Sequence, residues 1–230
     1  PTEIVTLPSK GLLYPKDNAL SKGEVEMKYM TAKEEDILTN ANYLKSGTVI
    51  DKLLQALIVT PIDYNELLIG DKNAILIAAR ILGYGKDYSF EYNDQEYTID
   101  LSQIDNKPFN HLNKGVNEFN YTLPSTNVNI TYKILTHGDE QKIQAEIDGI
   151  KKINKNASVD LSTRLKYMIT SVGGDRDPKT IREFVDNHLL ARDSRELRKH
   201  IRDTQPDIDL TFFPDGSTDR VDIPIGIKFF

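Results

Sequence analysis

Four histidines, His111, His137, His188 and His200, are the first places to look for metal ligation or general acid–base work. Two imidazoles that share a metal on one helix face stand four residues apart, and no pair here has that spacing. His137-Gly138-Asp139-Glu140 and Asp175-Arg176-Asp177 gather nitrogen and oxygen donors. Acidic residues at a helix start give the same pattern, because they face the positive end of the helix dipole. Glu34-Glu35-Asp36 opens a helix in this way. A catalytic carboxylate pair needs two unequal environments, and these three read as equally solvated. Gly83-Tyr84-Gly85-Lys86 follows a helix instead of leading into one, so it is a helix stop and not a phosphate cradle. No P-loop and no nucleophile elbow is present. The chain has no cysteine, which excludes disulfides, thiolate metal sites and a cysteine nucleophile. No catalytic, cofactor-binding or metal-ligating residue is assigned. The expectation is a non-enzyme with no cofactor and no small-molecule substrate.

Binding chemistry is more visible. Arg195, Arg198, Lys199 and Arg202 stand at i, i+3, i+4 and i+7, one face of the last helix. Such a stripe suits either phosphates, as in a helix–turn–helix, or an acidic protein surface. The net charge of -6 disfavours nucleic acid, which selects basic surfaces. The C-terminal Ile223 to Phe230 is apolar for a terminus. It is expected to complete a sheet, with Phe229 and Phe230 near an interface.

These side chains need elements to hold them. Glu24 to Tyr29 alternates polar and apolar, a half-buried strand. Thr31-Ala32-Lys33-Glu34 reads as a capping box. Val49, Ile50, Leu53, Leu54, Leu57 and Ile58 recur at helical spacing before Pro61. Asp63 to Glu66 has a second capping-box pattern. Asp71 is placed to cap a helix that runs to Gly83 and is apolar on all sides, hence central. Tyr88, Phe90 and Tyr92 alternate into Asn93-Asp94 and return as Tyr97, Ile99 and Leu101, a hairpin. Phe119 to Leu123 and Val128 to Ile134 form another. Ile143, Ile147, Ile150 and Ile153 mark a helix. Leu161, Leu165, Met168, Ile169 and Val172 mark the next, ended by Gly173-Gly174. Asp177-Pro178 opens a third helix, and Ser194 a short fourth. After Pro206 the chain returns to strands around Pro214-Asp215-Gly216-Ser217.

The fold class expected is α+β. A helical N-terminal core with β-hairpins spans 1–136, a helical segment spans 137–205, and a C-terminal hairpin, 206–230, packs back on the β-region. A chain of 230 residues can bury about 70% of its unfolded surface, so it needs no covalent staple. Residues 139–205 hold 14 Lys/Arg against 12 Asp/Glu, and the remainder 15 against 23. The later helices are therefore the basic pole of an acidic chain. Pro1 to Val5 has no basic or apolar leader pattern, and no apolar run is long enough to span a membrane.

The order of segments goes further. Leu7-Pro8-Ser9-Lys10-Gly11 with Tyr14, Met30-Thr31-Ala32-Lys33-Glu34-Glu35-Asp36-Ile37-Leu38, Leu67 to Ile75, and Ala79-Arg80-Ile81-Leu82-Gly83-Tyr84-Gly85 together resemble the T-even-type phage baseplate protein family. Asp193-Ser194-Arg195-Glu196-Leu197-Arg198 and the closing Ile223-Pro224-Ile225-Gly226 to Phe229-Phe230 fit as well. Some members carry Cys-x-x-Cys knuckles at two hairpin tips. The matching places here, Tyr92 to Glu96 and Phe213 to Ser217, are plain turns. The resemblance therefore implies that these two hairpins are neighbours without zinc, held by strand pairing and aromatic packing.

What the resemblance implies is a non-enzymatic structural or assembly component of a contractile-tail baseplate hub. Its partners would be other tail and hub proteins. It would reside in the host cytoplasm during assembly and then in the virion baseplate. A transient assembly chaperone absent from the virion, and a DNA-binding regulator using the last helices, are the alternatives. The expected interface residues are Leu7, Pro8, Gly11, Tyr14, Arg195, Arg198, Lys199, Arg202, Phe229 and Phe230.

Overall fold

The computed structural model describes residues 1–230 as an α+β fold. Strands β1 (Thr2–Thr6) and β2 (Glu24–Lys28) lead into helices α1 (Ala32–Leu38), α2 (Ala41–Ser46), α3 (Val49–Leu57) and α4 (Ile69–Tyr84). The hairpin β3 (Asp87–Tyr92) and β4 (Gln95–Asp100) follows, then β5 (Phe119–Thr122) and β6 (Asn129–Tyr132). Helices α5 (His137–Ile153) and α6 (Asp160–Met168), strand β7 (Ile169–Val172), and helices α7 (Pro178–Asn187) and α8 (Ala191–Thr204) come next. The chain closes with β8 (Thr211–Phe212) and β9 (Val221–Asp222). All sheets are small and antiparallel: β1–β2, β3–β4, β5–β6–β7 and β8–β9. No helix is long and apolar enough to cross a membrane.

The polypeptide packs as two units whose limits differ from the compositional zones. One unit takes residues 1–62, 70–112 and 206–230; the other takes 63–69 and 113–205. The second hairpin thus belongs with the later helices, because β6 pairs on its far side with β7. That strand corrects the expectation of helix through Val172. Ile169 and Ser171 are buried while Thr170 and Val172 are half-buried, a period of two that the apolar run had hidden.

Local chemistry explains most element boundaries. Asn93 and Asp94 both take positive φ, 50° and 61°, which a two-residue hairpin turn requires. Asp177 caps α7 with Pro178 in its first turn, and Gly47 ends α2 in the left-handed region. Arg80 Nη1 donates to the Gly85 carbonyl at 2.6 Å and Nη2 to the Asp87 carbonyl at 2.7 Å, so this cation near the end of a largely apolar helix ties that end to β3. Asp63 to Glu66 is not a capping box. It makes a single 3-10 turn in which Asp63 Oδ1 accepts from the Asn65 N–H. Helix α8 begins at Ala191, a turn earlier than expected. The C-terminal strands are only two residues each, and the chain ends in a 3-10 turn at Ile227–Phe229.

The two cysteine-free hairpins are neighbours, joined by aromatic packing and by a 3.2 Å bond from the Tyr88 hydroxyl to the Pro224 carbonyl. Phe212 stands 5.0 Å from Phe90, 5.5 Å from Tyr97 and 6.2 Å from Tyr92, ring centre to ring centre. No backbone ladder joins β8–β9 to β3–β4.

At α1 the capping box forms. Glu34 accepts from the Thr31 N–H at 2.8 Å and from its hydroxyl, and Lys28 Nζ lies 2.7 Å away. Burial works against the Glu34 carboxylate, but the Lys28 and Thr31 donors outweigh it and hold its pKa down to about 2. A depressed carboxylate stabilises the fold above its unfolded value and loses that contribution as pH falls through the folded one. Glu34→Gln is therefore expected to lower stability at neutral pH and to flatten the acid limb between 4.5 and about 2. Urea melts at stepped pH check this; parallel acid limbs for the two proteins would contradict it.

Candidate docking surface

Two buried aspartates organise the Leu7–Tyr14 loop and the start of α8. Asp71, in the first turn of α4, is fully buried. It does not cap its helix. Its Oδ1 accepts from the Ser9 N–H at 2.9 Å, and its Oδ2 accepts from the Ser9 and Tyr14 hydroxyls, each at 2.6 Å. Burial pushes the Asp71 carboxyl above its ordinary value, and the Ser9 and Tyr14 donors offset part of that.

This arrangement removes the Leu7–Tyr14 loop from the list of interface residues. Leu7, Pro8, Gly11 and Tyr14 are all buried, and the loop is folded inward around Asp71. Gly11 adopts φ +76°, and a Cβ there would stand 2.3 Å from the Ser21 carbonyl oxygen. Glycine is thus required for a close backbone approach, not for a flexible docking tip.

Asp193 plays the matching part in the other unit. It is fully buried in the first turn of α8 and accepts from the Ser125 N–H at 2.8 Å, the Thr126 N–H at 3.3 Å and the Thr126 hydroxyl at 2.8 Å. Burial opposes its ionised form, but the Ser125 and Thr126 bonds prevail and hold the carboxyl below its ordinary value. The β5–β6 turn is thereby clamped to the start of α8. Asp193→Ala is expected to free that turn, with faster amide exchange at Ser125 and Thr126; unchanged protection would show that the clamp is not needed.

The clamp sets which way α8 faces. Asp193, Ser194, Leu197 and Ile201 are buried, while Arg195, Arg198, Lys199 and Arg202 are exposed. The stripe therefore lies on the surface as its spacing required. Arg198 and Arg202 also line a cavity of about 220 Å³. Its apolar walls include Ile134, Leu161, Leu165, Met168 and Ile201. Lys133, Arg164 and Glu140 complete the lining.

The cations around this cavity differ in what they already hold. Lys133 Nζ bonds both Asp139 oxygens, at 2.9 and 2.8 Å, and Arg164 grips Glu140 with two bonds. Arg198 has only a 3.3 Å bond to the Ser194 hydroxyl, and Arg202 a 3.9 Å approach to exposed Asp203. Two guanidinium groups are thus available beside an apolar recess. That combination suits a carboxylate-bearing segment with an apolar anchor.

Phe229 and Phe230 do not form an exposed aromatic edge. Phe229 is 3% exposed and packs edge-on against Tyr88 at 4.6 Å, while half-buried Phe230 lies 6.2 Å from Tyr84. Aromatic burial holds the C-terminus in place.

No group of three or more His, Asp or Glu side chains is placed to hold a metal ion. His137 packs edge-on to Tyr64 at 4.7 Å, and His200 lies over Tyr121 at 4.7 Å. Asp175 and Asp177 cap the backbone that enters α7. No protein-family model, no curated protein and no solved structure matches the chain.

Proposed function

We propose that this chain is a non-enzymatic component of a contractile phage tail baseplate hub, acting through protein–protein interfaces. The observation that carries the reading is the exposed basic face of α8 beside its apolar recess. The ordered segments resembling T-even-type baseplate proteins supply the setting. The partner at α8 is an acidic, apolar-anchored segment of another tail protein. Charge steers its approach, and the recess supplies the desolvated anchor site.

Co-expression with the tail proteins of the same phage, followed by co-purification, tests the assembly role. Arg198→Glu with Arg202→Glu is expected to weaken the recovered complex at least about tenfold, through like-charge juxtaposition. Recovery of a free monomer only would overturn the reading. Mass spectrometry of purified particles separates a resident part from a transient chaperone: stoichiometric presence supports the former. A salt titration against duplex DNA covers the remaining alternative. Tight binding at low salt that falls steeply with added salt would move the function to DNA.

A further inference from the structure

The β1–β2 ribbon has one edge covered and one edge open. The covered edge belongs to β2: the Val59 N–H donates to the Glu26 carbonyl at 2.8 Å, the Glu26 N–H donates to Thr60 Oγ1 at 2.8 Å, and Met27 bridges Ile58. On β1 the phase of the ladder is set by two flanking bonds. The Leu7 N–H donates to the Gly23 carbonyl, and the Tyr29 N–H donates to the Pro1 carbonyl. With Glu3 opposite Met27 and Val5 opposite Val25, the odd-numbered residues spend their backbone groups on β2. Thr2, Ile4 and Thr6 therefore turn their N–H and C=O groups outward. No backbone group of the chain pairs with them.

A groove runs along this open edge. It has a volume of about 550 Å³, and its lining combines Glu3 to Thr6 of β1 with Ile77, Ala78 and Ile81 of α4 and with apolar residues after β4 such as Ile104. Ile4 itself is 57% exposed. An unpaired edge beside an apolar trough is the geometry of strand addition, in which main-chain bonds give affinity and alternate side chains fill the trough.

Charge selects the occupant. The unit that carries the groove holds 13 Lys/Arg against 20 Asp/Glu, a net charge of -7. The ribbon itself carries Glu3, Glu24 and Glu26 against Lys28. A second copy pairing β1 with β1 would bring two such acidic units together, which like-charge repulsion opposes. We propose that the open edge of β1 receives an extended, basic segment of a partner protein, adding a third strand whose apolar side chains enter the α4 groove. This interface is separate from α8 and does not depend on the hub reading.

The test uses a capped peptide alternating valine and lysine as the probe. Fluorescence anisotropy is expected to show binding, and hydrogen exchange to show new protection of the Ile4 and Thr6 amides. Ile4→Pro removes one outward N–H without touching the β1–β2 ladder, since proline is tolerated on an edge where its nitrogen faces solvent. It is expected to weaken the peptide at least about tenfold, a shift of roughly 1.4 kcal/mol or more. Should that variant fail to fold, Ile81→Lys sets a cation in the half-buried trough and is expected to weaken the same probe. The proposal is overturned by no binding, or by equal binding of a peptide N-methylated along its pairing edge. Equal binding of a glutamate version overturns it too, as does an edge-dependent dimer of the chain in sedimentation.

Discussion

Replacing Asp71 with alanine is expected to cost about 3 kcal/mol of folding stability, the scale for stranding several buried donors at once. The Ser9 N–H, the Ser9 hydroxyl and the Tyr14 hydroxyl all end on this one carboxylate, and Ser9, Tyr14 and Asp71 are all buried. Alanine removes the acceptor that these three donors share, where water is excluded. Asp71→Asn keeps one carbonyl oxygen and lets the two hydroxyls reorient, so its cost should be the smaller. Urea unfolding of the three proteins measures this. A loss below about 1 kcal/mol for the alanine variant would show that the donors find other partners.

The same carboxylate carries a pH signature of opposite sign to Glu34. Burial raises Asp71, and the charge on Asp207 raises it further, so the folded chain holds the proton more tightly than the unfolded one. Its contribution is greatest below the ordinary value of 3.8 and declines as pH rises through the folded value. The stability of the native protein relative to Asp71→Asn should therefore fall as pH increases across that window.

Gly70→Ala is expected to lose about 3 kcal/mol or more, at the upper end for overpacking. An added Cβ would stand 1.9 Å from the Pro206 carbonyl oxygen, 2.8 Å from its carbon and 2.9 Å from the Asp207 Cα. All three are backbone atoms, so no side-chain rotation relieves the overlap. Helix propensity alone gives the opposite sign, since alanine in a helix is favoured over glycine by roughly 0.5–1 kcal/mol. Gly149 in α5 supplies the control, because nothing lies within 4 Å of its Cβ position. Gly149→Ala should gain about that propensity term while Gly70→Ala loses stability. Thermal melts that move the two variants in the same direction would refute the close approach.

Local signals in the sequence carried well where the chemistry is local. The Thr31–Glu34 box, the Asp177-Pro178 helix start, the Asn93-Asp94 turn and the Gly47 stop each depend on neighbours within four residues. The spacing of Arg195, Arg198, Lys199 and Arg202 also sufficed to place them on one exposed face. Strand β7 is not legible in the sequence because its four residues continue the apolar run of α6, and short apolar runs do not distinguish helix from strand. Ile153 helps to mark α5 by its spacing, and it ends that helix 91% exposed.

The sequence alone determined the α+β class, the absence of thiol chemistry and the basic character of the last helix, because these follow from composition and from period. Tertiary structure decided the roles of the polar residues. Ser9, Tyr14 and Asp71 looked like a surface loop and a helix cap, and they are one buried cluster joining segments about 60 residues apart. Asp193 sits among exposed charges in sequence and is buried beneath a hairpin turn. Phe229 looked like a terminal docking group and belongs to the aromatic core. In each case the deciding term is desolvation with long-range hydrogen bonding or packing, and no local window contains both partners.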